Sequence, residues 1–109
     1  MNRYAAAGIA QDAQRGRRVL VVSPDGRGTR TALDAIAART PGAMVRRAKG
    51  SETVHVEGAG AVYFTTPRSD RGRGMSVDVV YLDDVTETPE LRADLVPCLA
   101  TSTVGELIR

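Results

Sequence analysis

Residues 18–40 read RVLVVSPDGRGTRTALDAIAART. The opening RVLVVS is apolar and β-branched, with its one charge at the start. No polar residue alternates within it, so it reads as a strand covered on both faces. PDGRG, residues 24–28, combines Pro, Asp and Gly and reads as a turn. From residue 29 the period changes. Leu33, Ile36 and Ala37 share one face of a helix over 29–40, which Thr29 is placed to cap and Pro41 and Gly42 to end. Strand, tight turn and helix form the unit of a parallel sheet. The fold class is therefore α/β, with a mainly parallel sheet between flanking helices.

Working outward supports that class. Residues 3–14, RYAAAGIAQDAQ, predict a helix in which Tyr4, Ile9 and several alanines form one face, and Gly16 stops it. Residues 43–48 predict a short strand. TVHVEG and AVYFTT flank a Gly-rich EGAG and predict a β-hairpin. PRSDRGRGMS, residues 67–76, is a polar loop, and VDVVYLD, 77–83, is a second buried strand. TPELRADLVPCLAT, 88–101, predicts a helix with Pro89 in its first turn and Leu91, Leu95 and Leu99 stacked. Pro97 should kink or shorten that helix. GELIR, at the end, is either the start of a last strand or a frayed tail. With 109 residues, no internal repeat and no long linker, the chain is sized for one domain.

Composition excludes several classes. The chain is 42% hydrophobic and 26% charged, as soluble globular proteins are. No apolar run is long enough to span a bilayer. The N-terminal segment lacks the apolar core of a signal peptide, because Asp12 and Gln14 follow closely. The single cysteine, Cys98 in LVPCLA, reads as a buried thiol and suits a reducing cytoplasm. His55 alternates with Val54 and Val56 as an exposed strand residue would. One His and one Cys far apart give no metal cluster, and no nucleophile–base pair stands out. Charge is unevenly spread. Residues 1–75 carry 13 basic and 6 acidic side chains, a balance of +7, and residues 76–109 carry 2 and 7, a balance of −5. Fourteen of the 15 basic residues are Arg, whose planar fork grips phosphate well; high-GC codon usage would produce the same bias.

VDVVYLDDVTE, residues 77–87, ends a buried strand on paired carboxylates, Asp83 and Asp84. Taken alone, such a pair either terminates the strand and caps the next helix, or serves a ligand at the strand's end. Three stretches in order resemble a family: GRRVLVVSPDGRGTRTALDAI, GAGAVYFTTPRSDRGRGMSVDVVYLDD and ELRADLVPCLATSTVGELI. They resemble the P-loop ATPase core of large terminase subunits, the DNA-packaging motors of tailed bacteriophages, and of their helicase relatives. The resemblance implies a RecA-like, partial Rossmannoid sheet, with VDVVYLDD as the Walker B strand. By that likeness Asp83 matches the magnesium-binding Asp. Asp84 matches the catalytic position, where these motors usually carry Glu; a retraction of about 1 Å can cost on the order of 100-fold in rate. The family's Gly-x-x-x-x-Gly-Lys-Ser/Thr loop has no counterpart, since NRYAAAGIAQDAQRGR already matches the helix that comes after it, and the lone Lys49 sits in AKGSE. The resemblance therefore implies a single truncated ATPase-like domain without a complete ATP site.

Three functional expectations arise. The first is a non-catalytic phage protein, in the host cytoplasm, that binds DNA or a motor or host protein. Arg46, Arg47 and Lys49 form the densest basic cluster, and Arg68, Arg71 and Arg73 sit in a Gly-rich loop. Each group reads either as solvated surface or as a phosphate contact. The second is a component of a composite ATPase, lending Asp83 and Asp84 to a partner's P-loop, in which case Mg²⁺ and ATP would bind. The third is a self-assembling module whose missing first strand leaves a sheet edge open to a second copy.

Overall fold

The computed structural model describes residues 1–71, 74–99, 102 and 105–108. Its elements run α1 (Arg3–Gln14), β1 (Arg18–Val22), α2 (Gly26–Ala37), β2 (Met44–Arg46), β3 (Thr53–His55), β4 (Ala61–Thr65), β5 (Val79–Leu82), α3 (Pro89–Leu95), a 3-10 turn (Val96–Leu99) and β6 (Glu106–Ile108). One six-stranded sheet has the order β2-β3-β4-β1-β5-β6. β1 pairs in parallel with β4 and β5, and β5 with β6, while β3 is antiparallel to both β2 and β4. All strands but β3 therefore point the same way. The α/β class and the mostly parallel sheet are as the sequence predicts.

α1 and α2 cover one face. Ala6, Ile9, Ala13, Leu33 and Ile36 pack there on Val19, Val21, Val62, Phe64 and Val79. Leu91, Leu95 and Cys98 cover the other face, over Leu20, Val22, Val80 and Leu82. The two faces of β1 thus feed different layers, which is why its sequence is apolar throughout.

Local chemistry explains where the elements depart from expectation. Tyr4 is 74% exposed rather than part of the α1 face. It lies two residues, or about 200° of helix, from the buried Ala6, and the Arg3 guanidinium rests 5.0 Å from its ring. α2 begins at Gly26, a turn earlier than predicted. Asp25 is the cap: its backbone is extended and its side chain accepts the Gly28 N–H at 2.8 Å. Thr29 is instead buried, its hydroxyl donating to the Asp25 carbonyl at 3.0 Å. Pro97 does shorten the last helix, and α3 tightens into a 3-10 turn from Val96. Residues 100 and 101 lie outside the described residues. GELIR supplies β6, parallel to β5. The predicted hairpin is formed by β3 and β4. At the start of β4, Gly60 passes so close to the α1–β1 turn that a Cβ there would lie 1.9 Å from the Arg17 carbonyl oxygen.

Candidate phosphate-binding rim and the Asp83 corner

Because β2, β4, β1, β5 and β6 share a direction, their C-terminal ends form one rim. Ligands of open α/β sheets bind along such a rim, at the point where the chain's excursions turn from one side to the other. Here β1 leads through α2 towards β4, whereas β5 leads through α3 to β6, so the turning point lies between β1 and β5. Ser23 and Asp83 are the residues after those two strands, and both are buried. The Ser23 hydroxyl donates to Asp83 Oδ2 at 3.4 Å, and the Asp83 N–H donates to the Val22 carbonyl at 2.8 Å. Asp83 Oδ1 faces the Met1 amino group at 3.5 Å.

Asp84 turns the other way. It is exposed, with φ of 57°, and is the one non-glycine residue at positive φ among those described. Asp tolerates this left-handed conformation better than most residues. Of two carboxylates adjacent in sequence, one is thus buried and the other faces solvent. A magnesium–nucleotide group fits these residues poorly: Asp83 is buried against the Ser23 hydroxyl, and Asp84 is exposed to solvent. Among the described residues no three His, Cys, Asp or Glu side chains gather to hold a metal ion.

The rim's concave part lies on the other side of β1. A cleft of about 390 Å³ opens between the start of α2, the end of β4 and the β2–β3 connection. Asp25, Gly26 and Thr29 form one wall, Thr65, Thr66 and Arg68 another, and Lys49, Gly50 and Glu52 a third. Asp83 is not part of its lining. Lys49 and Arg68 are exposed at this cleft, and the first turn of α2 points its backbone N–H groups to the same end of the sheet. A helix N-terminus favours negative charge, part of which the Asp25 carboxylate already supplies at the Gly28 N–H, and the two cations stand beside it.

The predicted basic residues separate into different roles. Arg46 is exposed at the end of β2. Arg47 is paired with Asp34 on α2. Arg71 also lines the cleft, but its guanidinium is turned into the protein. It donates to the carbonyls of Glu52 at 2.6 Å and Phe64 at 2.9 Å, and to the Thr53 hydroxyl at 2.9 Å. Burial lowers its pKa below the ordinary arginine value, opposed by Glu52 and Tyr63. Arg73 lies outside the described residues. His55 is exposed on β3, as expected. Burial raises the Cys98 thiol, whose Sγ donates to the Asp94 carbonyl at 3.8 Å.

Sequence reasoning missed Ser23, Glu52 and the part of Asp25 in the cleft wall. Ser23 could have been found by alignment of the two buried strands, since it ends RVLVVS as Asp83 ends VDVVYLD. Glu52 carries no signal of that kind. Among the described residues no helix is long and apolar enough to cross a membrane. No protein family, curated protein or solved structure matches this chain. The fold and site define a class in chemical terms: a mostly parallel α/β sheet with a cleft on its C-terminal rim, lined by Lys49 and Arg68 together with Asp25 and Glu52.

Proposed function

We propose that this chain is a non-catalytic binding protein that holds the phosphate backbone of nucleic acid along the β2–β4–β1 part of its rim. The observation that carries this reading is the gathering of Lys49, Arg68 and the α2 N-terminus around the cleft, with Arg46 at the end of the neighbouring edge strand. The sheet order supports it. Residues 1–75, with a balance of +7, supply β2, β3, β4 and β1, and residues 76–109, at −5, supply β5 and β6. The sequence asymmetry thus becomes a lateral gradient of charge that would align an anionic backbone with the β2–β1 half. Descent from a phage terminase- or helicase-like, RecA-type ATPase core accords with the sequence resemblance and with a parallel sheet ending in Asp83. Action in the cytoplasm of a phage host belongs to the same reading. Donation of Asp83 and Asp84 to a partner's ATP site has less support, because Asp83 is buried against Ser23 while Asp84 is exposed.

The test is the salt dependence of duplex-DNA affinity. Each neutralised phosphate contributes about 0.9 to the slope of log K against log salt. Contacts from Arg46, Lys49 and Arg68 together give a slope of about −3. Replacing any one of them by Ala should lower the slope by roughly 1 and leave the fold intact. An affinity that stays flat as salt rises rejects the proposal.

A further inference from the structure

The sheet ends in two edges of opposite character. Among the described residues no strand pairs with the outer side of β2 or of β6. Each carries an exposed apolar side chain, Met44 at 60% and Ile108 at 36%. Each also carries an exposed charge two residues away, Arg46 on β2 and Glu106 on β6. Residues two apart on a strand share a face. Val45 packs into the α1–α2 layer, so Met44 and Arg46 turn to the α3 face. Leu107 packs into the α3 layer, so Glu106 and Ile108 turn to the α1–α2 face.

We propose that the partner of these edges is a second copy of this chain, with β2 of one copy pairing antiparallel to β6 of the next. Arg46 then opposes Glu106 of the next copy, Val45 opposes Leu107, and Met44 opposes Ile108. The antiparallel sense comes from the faces. Turning the next copy over about the lateral axis of the sheet reverses its strands and exchanges its faces together. Its Glu106 and Ile108 arrive on the side of Arg46 and Met44. Parallel addition would set Arg46 beside Leu107 and keep Arg46 and Glu106 on opposite faces. Pairing β2 with β2 would crowd the Arg46 and Arg47 side chains of both copies, the arrangement by which edge strands repel their own kind. Antiparallel ladders are also the more stable per residue, and directly opposed side chains are the unit of that stability.

The two patches differ, so the contact is heterologous and propagates. A twisted sheet continued in this way rotates about its own direction of growth and does not close. Each copy adds six strands, or about 29 Å of length. Ladders of three residues hold weakly, so association should depend on concentration and fall as salt rises. This inference shares Arg46 with the phosphate-binding reading, and association measured without nucleic acid tests it apart from that reading.

Sedimentation velocity on the 109-residue chain without nucleic acid tests it. The average mass should climb above the monomer with concentration. R46E and E106R should each weaken association on the order of tenfold, because like charges then face each other. An equimolar mixture of the two variants, and the R46E/E106R double variant, should both recover it. Glu106 also lies 3.8 Å from Arg17, an exposed pair of little weight. I108K provides a second change at the same edge and should weaken association as well. A chain that stays monomeric at every concentration overturns the proposal. So does E106R associating like the parent while R46E does not, which would assign the contact to β2 alone.

Discussion

Replacement of Arg71 by Met should cost stability and spare nucleic-acid binding. The last residue pair of the β3–β4 ladder is Thr53 with Tyr63. Just beyond it the carbonyls of Glu52 and Phe64 lack a strand partner, and the Arg71 guanidinium takes both, together with the Thr53 hydroxyl. Its carbon also lies 5.8 Å from the Tyr63 ring. Arg71 thus finishes the ladder and ties the 67–71 loop to it. Hydrogen bonds from a charged donor contribute about 1.5–3 kcal/mol each. Arg71 is partly exposed, so solvent screens it. Discounted accordingly, the three bonds contribute about 2–4 kcal/mol together. In a domain of this size that lowers Tm by roughly 8–16 °C. Thermal unfolding followed by circular dichroism reads the change directly. Met keeps the side-chain stem as far as the Nε position and removes the donors, so the packing of the stem is retained. Lys should restore little, since one ammonium cannot span both strands. A loss below about 1 kcal/mol, or a DNA salt slope that falls by a full unit, would refute the assignment of Arg71 to the ladder.

Other expectations concern the scaffold of the rim. Gly60→Ala should destabilise by more than about 3 kcal/mol, because the added Cβ meets the backbone oxygen of Arg17 at 1.9 Å and no side chain can yield; urea unfolding close to the parent would contradict this. Asp25→Ala should cost about 1 kcal/mol through loss of the α2 cap, whereas Asp25→Asn should recover most of it. Asp78 should make stability fall in acid. Its carboxylate accepts the Arg18 N–H at 2.9 Å and the Ser102 hydroxyl at 2.8 Å, which lower its pKa in the folded state, the Arg18 bond most. That contribution is present above the unfolded carboxylate value of about 4 and is lost as pH falls through the lower folded value. Asp78→Asn should flatten this part of the pH profile, and an unchanged profile would count against it.

Much of the scaffold is legible because its signals are local. α1 coincides with the predicted 3–14, as Asn2 caps it and Gly16, at φ 93°, ends it. β1 and β5 are read from apolar runs, and the β3–β4 hairpin from strands flanking Gly. Asp25 escapes because Gly in the first turn of α2 disguises a helix start as a turn. The site is less legible, since its geometry depends on direction rather than on proximity in sequence. Arg46, Arg47 and Lys49 form one sequence cluster, yet one is exposed at the end of the edge strand, one is bound to Asp34 and one reaches the cleft. Asp83 and Asp84 are neighbours, but one is buried and the other faces solvent. Arg71 looks like a loop cation until the strands to which it bonds are in place. The charge gradient, by contrast, is visible in the sequence because the strands built from its first 75 residues lie together in the sheet.

A ligand held by the cleft beside Lys49 and Arg68 and a ligand held at the Asp83 corner would disturb different residues. Backbone amide shifts, recorded by NMR while a short DNA duplex is added at low salt, distinguish the two. Binding in the cleft predicts changes at Gly26, Gly28, Lys49, Gly50 and Arg68, with Asp83, Asp84 and Val85 unmoved. Changes centred on Asp83–Val85, or responses there to magnesium-ATP and none at the cleft with DNA, would contradict it.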